Sequence, residues 1–166
     1  MQWHLGNSSE NKYKFKFEKI FSSLSKNSNV LLAFGEIDCR LDSGILKHLE
    51  KYPEKDEKNL IKKTISNFLS YINKLNLVKK CDLIIQGIPC PNIKVNFKDN
   101  KIEKLINLIK NFDDELKKQT VEAGYKFLDL HELTNRGDGF SNSIYHIDEY
   151  HLTPEGFLEA WKRNFS

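Results

Sequence analysis

Near the end of the chain, Asp148 stands three positions before His151 in the run Ile147-Asp148-Glu149-Tyr150-His151-Leu152-Thr153-Pro154-Glu155-Gly156. A carboxylate beside an imidazole holds the ring in one tautomer and stabilises its protonated form, as a general base in acyl transfer requires. A helix-capping Asp beside an incidental surface His would give the same spacing, so both readings stand at this point. A second cluster, Gly35-Glu36-Ile37-Asp38-Cys39-Arg40, sets acid, thiol and guanidinium together. Its structural reading is an Asp38–Arg40 pair that braces a loop, a kind of contact that is usually worth little. Its functional reading is a ligand-facing turn in which Cys39 is a substitute nucleophile, set against the plainer reading of a small half-buried thiol. Cys39, Cys90 and His151 match no zinc spacing, and no metal site is expected. His4, His48, His131 and His146 have no distinguishing partner in sequence and read as surface or packing residues. Gly137-Asp138-Gly139 is a turn signal without the strand and helix that a phosphate loop needs.

The elements that must position these groups follow from hydrophobic periodicity. Tyr13, Phe17, Ile20, Phe21 and Leu24 fall at helical spacing and predict a helix over 11–25, for which only a plain Ser8 or Ser9 cap is on offer. Val30-Leu31-Leu32-Ala33-Phe34 is a continuous apolar run stopped by Gly35, which predicts a strand buried on both faces. Residues 36–55 read as irregular, with a short helical turn around Ile45 to Leu49. Leu60, Ile61, Ile65, Phe68, Leu69, Ile72 and Leu75 mark a helix over 57–76. A second buried strand runs over 82–88, closed by Pro89-Cys90-Pro91. After a polar loop, Ile102, Leu105, Ile106, Ile109, Phe112 and Leu116 mark another helix, ending near Gly124. A third strand covers 125–130, and Pro154 opens a final helix.

Strands alternating with helices of these lengths predict an α/β fold, a three-layer α/β/α sandwich on a parallel sheet. Ligands of such sheets collect at the carboxyl ends of the strands. There the segments Gly35 to Asp42, Gly87 to Asn92 and Leu130 to His151 emerge, which puts the Asp148/His151 pair on the ligand edge.

The totals bound the class. At 166 residues, with 39% hydrophobic and 30% charged residues, the chain reads as one soluble domain. The net charge of +3 comes mostly from lysines interleaved with acids. Arginine occurs only at 40, 136 and 163, which argues against a nucleic-acid reader. No apolar run reaches the length of a membrane span, and the N-terminus lacks a signal-peptide layout, so a cytoplasmic location without a membrane partner is expected. Three cysteines without paired spacing fit a reducing compartment.

Taken in order, the motifs resemble the SGNH, or GDSL-type, hydrolase superfamily. That family carries a first-strand Gly-Asp-Ser with the nucleophile, a second turn with an oxyanion Gly, a Gly-x-Asn-Asp block and a late Asp-x-x-His block. Asp148 to Gly156 is similar to the last block, Gly35-Glu36-Ile37-Asp38 lies where the third belongs, and His4-Leu5-Gly6-Asn7-Ser8 looks like the second. The resemblance implies a flavodoxin-like SGNH fold and ester hydrolysis or acyl transfer on a small-molecule or glycan ester, without an organic cofactor. In it His151 would be the base, Asp148 its orienting carboxylate, Ser8 the nucleophile and Gly6 a backbone oxyanion donor, with Gly35, Asp38 and Arg40 lining the oxyanion and substrate side. Two departures stand out. Ile37 replaces the family's Asn and removes an oxyanion donor worth about 10²–10³ in rate. The first block is absent, because only 29 positions separate Gly6 from Gly35. The family's first strand is central, so either the chain is a fragment or the segment Trp3 to Leu5 occupies that slot and carries Ser8 with it. A non-catalytic binding module that keeps the fold and pocket is the competing expectation.

Overall fold

The computed structural model describes residues 1–94 and 100–166. Its helices are α1 (Gln2–Gly6), α2 (Lys12–Ser23), α3 (Gly44–Lys51), α4 (Glu57–Lys79), α5 (Asn100–Glu122), α6 (His131–Thr134) and α7 (Pro154–Phe165). The strands β1 (Asn29–Leu32), β2 (Asp82–Gln86) and β3 (Lys126–Leu128) pair in parallel, in the order β1-β2-β3. The polar loop expected before α5 falls partly outside the described residues.

Side chains alternate across the sheet, and each face packs on a different set of helices. Leu32, Leu83, Ile85 and Phe127 join one buried cluster with Leu5 of α1, Ile65, Phe68 and Ile72 of α4, and Leu105, Ile109 and Phe112 of α5. Ile84 and Leu128 face the other way, into a smaller cluster with Leu133, Leu152 and Ala160 of α7. Helices on both faces of a parallel sheet make the three-layer α/β/α architecture.

Burial of β1 departs from the expectation. Its α7-side face is uncovered: Leu31 is 41% exposed, and Asn29 and Ala33 are exposed as well. β2 is buried on both faces, but β1 is an edge strand whose outer backbone row pairs with no described strand. Parallel strands are ordinarily covered on both sides, so this bare face is the anomaly of the fold.

The segment around Trp3 is helical and does not fill a strand slot. Five residues make too short a helix to hold itself, and α1 is fixed from outside. Asp38 Oδ2 accepts from the backbone nitrogens of Met1 (2.6 Å) and Gln2 (2.8 Å), and Leu5 is buried against the core. At its other end α1 crosses α4 so closely that a Cβ on Gly6 would lie 2.7 Å from the Phe68 backbone nitrogen.

Local signals explain the remaining boundaries. Asp56 caps α4 by accepting from Asn59 N at 2.8 Å, and Thr153 caps α7 with Pro154 in its first turn. α2 is capped by Asn11, which accepts from Tyr13 N (3.0 Å) and Lys14 N (3.1 Å); Ser9 is occupied with Asn7. Asn11→Ala is therefore expected to lower unfolding stability by about 1 kcal/mol, read from urea titrations, whereas Ser9→Ala should leave the midpoint unchanged.

Candidate active site

The site is built on a hairpin-like loop between β3 and α7. His146 and Leu152 form an antiparallel bridge, Thr153 N donates to Tyr145 O at 2.7 Å, and Ile147 N donates to His151 O at 2.8 Å. Leu152 is buried in the α7-side cluster and anchors the loop to the core. Asp148 and His151 stand at its tip, and both are exposed.

Within the tip, Asp148 Oδ1 accepts from the backbone nitrogens of Tyr150 and His151, both at 2.8 Å, which leaves Oδ2 for His151 Nδ1 at 2.8 Å. Tyr150 N–H, then the imidazole and the His151 N–H, hold the Asp148 carboxyl well below its ordinary range. An ionised carboxylate only accepts, so Nδ1 must donate, and in the neutral ring Nε2 is left with its lone pair. Among the described residues Nε2 has no hydrogen-bond partner. A ring oriented in this way is set to take a proton from whatever approaches Nε2.

The loops after β1 and β2 hold this tip from two sides. Asn92 N donates to Glu149 O at 2.8 Å, its side-chain amide donates to Asp148 O at 3.3 Å, and its carbonyl accepts from Ser143 Oγ at 2.7 Å. The Arg40 guanidinium lies 5.0 Å from the centre of the Tyr150 ring. Asn92 and Tyr150 carried no signal by type or spacing, because each acts only through the meeting of loops distant in sequence.

Other sequence-nominated residues lie elsewhere around this edge. Gly35, at φ 115°, opens the 3₁₀ turn Glu36–Cys39. Arg40 pairs with Glu36, its Nη2 3.0 Å from Oε2, and not with Asp38. Asp38 is 3% exposed, and its oxygens are taken up by the start of α1. Gly6 closes α1 against α4. Ser8 lines a depression with Trp3, Lys63, Thr64 and Asn67, to which no residue of the 145–153 loop contributes, and it shares no hydrogen bond with His151. The structure thus brings Asp148 and His151 together, sets Arg40 against the Tyr150 ring of the same loop, and leaves Ser8 apart.

The remaining thiols and imidazoles are packing groups. Cys39 is 1% exposed, and burial pushes its thiol well above the ordinary value, so it is not a ready thiolate. Burial likewise raises Cys90 to about 12, with its sulfur 3.5 Å from His131 Nδ1. His146 meets Ser141 Oγ at 2.8 Å, and His4 stacks on Tyr13. No described group of three or more His, Cys, Asp or Glu side chains is placed to hold a metal, and no described helix is long and apolar enough to cross a membrane.

Neither a protein-family model nor a curated protein matches the chain. Among solved structures it is similar in fold to a phospholipase A1 from Streptomyces albidoflavus NA297. The TM-score is 0.56 at 15% sequence identity, over 91% of this chain and 75% of that one. The likeness is one of architecture, at an identity too low to carry residues across.

Proposed function

We propose that the chain is an SGNH-type hydrolase domain that cleaves esters, with His151 as general base and Asp148 as the carboxylate that orients it. The observation that carries the reading is the 2.8 Å contact of Asp148 Oδ2 with His151 Nδ1, made while Oδ1 is pinned by two backbone N–H groups and Nε2 stays open. The similarity of 148–156 to the family's last block supports it, as does the fold shared with the phospholipase. Arg40, paired with Glu36 and resting on Tyr150, braces the tip that carries the pair. The substrate we propose is a small-molecule or glycan ester; no organic cofactor is invoked.

Ser8 favours a second reading. It is the hydroxyl nominated from sequence, and its depression excludes the 145–153 loop. A module that keeps the dyad and the fold without a nucleophile would bind esters without cleaving them. Hydrolysis of p-nitrophenyl acetate, run alongside labelling by a fluorophosphonate probe and peptide mapping, separates the two. Turnover above the buffer rate, with label on one serine, is the expected result. No turnover and no label would sink the hydrolase reading and leave the binding module.

A further inference from the structure

A cavity of about 220 Å³ lies between α1, the 3₁₀ turn and α3, walled chiefly by Trp3, Ile37, Ile45, His48 and Leu60. Two of its polar side chains are already engaged. The Asp38 carboxylate is committed to the backbone nitrogens of Met1, Gln2 and Trp3. The Ser43 hydroxyl, 3.3 Å from Ile37 O, donates within its own loop. The His48 ring is packed between Trp3, at 5.6 Å, and Tyr52, at 4.8 Å, and so holds the indole in place. The lining is predominantly apolar, with His4 and His48 among its polar residues. Trp3 and Ile37, 39% and 42% exposed, are large apolar groups left in water.

A hydroxyl-rich ring bound in such a space would regain few hydrogen bonds for the water it loses, and the Met1 ammonium in the wall is paired with the Asp38 carboxylate. An alkyl chain loses nothing there and covers Trp3 and Ile37. The turn that forms one wall continues to Arg40, whose guanidinium lies 5.0 Å from the centre of the Tyr150 ring, while no residue of the 145–153 loop lines the cavity itself.

We propose that this cavity is an apolar subsite that takes a short aliphatic acyl chain. Identifying the chain as the acyl part of a substrate rests on the ester-hydrolase reading; the affinity for alkyl groups does not. Trp3 and Ile37 then determine chain-length preference.

Isothermal titration of the full chain with butanoate, hexanoate and octanoate tests this, with methyl α-glucoside as the polar counter-probe. Affinity should rise about fourfold per methylene until the cavity is filled, the value set by the transfer free energy of a buried CH₂. Ile37→Asp should weaken octanoate at least about tenfold. If that variant loses its circular dichroism spectrum, Ser43→Trp, which fills the space from a half-buried position, takes its place. No dependence on chain length, tighter binding of the glucoside, or octanoate affinity untouched by both substitutions would each overturn the subsite. His151 is not in the wall, so His151→Ala should bind octanoate as the parent does. Retained octanoate binding in a chain without esterase activity upholds the subsite while the catalytic reading falls, and acetate hydrolysis without octanoate binding does the reverse.

Discussion

His151→Ala is expected to lower kcat for p-nitrophenyl acetate by about 10²–10⁴-fold, the range that removing a positioned general base commands. His151 is exposed at the tip of its loop, so circular dichroism and the melting temperature should stay at parental values, which separates lost chemistry from lost fold. Asp148→Asn makes the sharper companion. In the parent, Oδ1 takes the Tyr150 and His151 N–H groups and Oδ2 takes the imidazole. An asparagine that keeps the two backbone bonds through its carbonyl must turn its NH₂ toward Nδ1. That forces the ring into the other tautomer, with the proton on Nε2 where the base is needed. Asp148→Asn should therefore fall nearly as far as His151→Ala, and the double variant no further than the worse single one. Turnover in Asp148→Asn equal to the parent's would rule out the orienting role.

The second large effect concerns stability. Asp113 of α5 is 3% exposed, and its Oδ1 accepts from Ile88 N at 2.6 Å, satisfying the backbone just beyond β2. Burial raises its carboxyl to about 8 against an ordinary 3.8; Asp129 and Asp114 add to the rise, and the Ile88 N–H and Lys117 oppose it. Below about pH 4 the group is protonated folded and unfolded alike and its contribution is fully present. As the pH climbs toward 8 the unfolded carboxyl ionises while the folded one stays neutral, and stability drains away at up to about 1.4 kcal/mol per pH unit. Asp113→Asn keeps an acceptor for Ile88 N and cannot ionise. Its urea midpoint should exceed the parent's at pH 8 and converge with it near pH 4. Parallel pH profiles for the two proteins would contradict the assignment.

What could be read from sequence, and what could not, divides by the range of the interaction. β2 was plain because Leu83-Ile84-Ile85 is apolar at consecutive positions and is buried on both faces. The Asp148/His151 pair was plain because acid, imidazole and both backbone donors sit within four residues. α1 gave no signal because its cap, Asp38, lies 36 positions from Gln2. Arg40 took Glu36 as its partner where Asp38 was expected, because Asp38 was already committed to that helix. The run at β1 looked as buried as β2, since an apolar string says what could be covered and not whether anything covers it. Asn92 and Tyr150 emerged only when three loop ends met at one edge.

The bare edge of β1 also gives the sheet a direction of unravelling. A strand wet on one face and along one side opens at lower cost than one enclosed by two neighbours, so loss of structure starts at β1 and reaches β2 last. β1 leads straight into the turn that carries Asp38 and Arg40, and its first excursions slacken both the grip on α1 and the contact with Tyr150. The edge of the molecule that carries the Asp148/His151 pair is thereby tied to the least protected part of the sheet. Conditions that leave the core intact can already scatter the groups around His151.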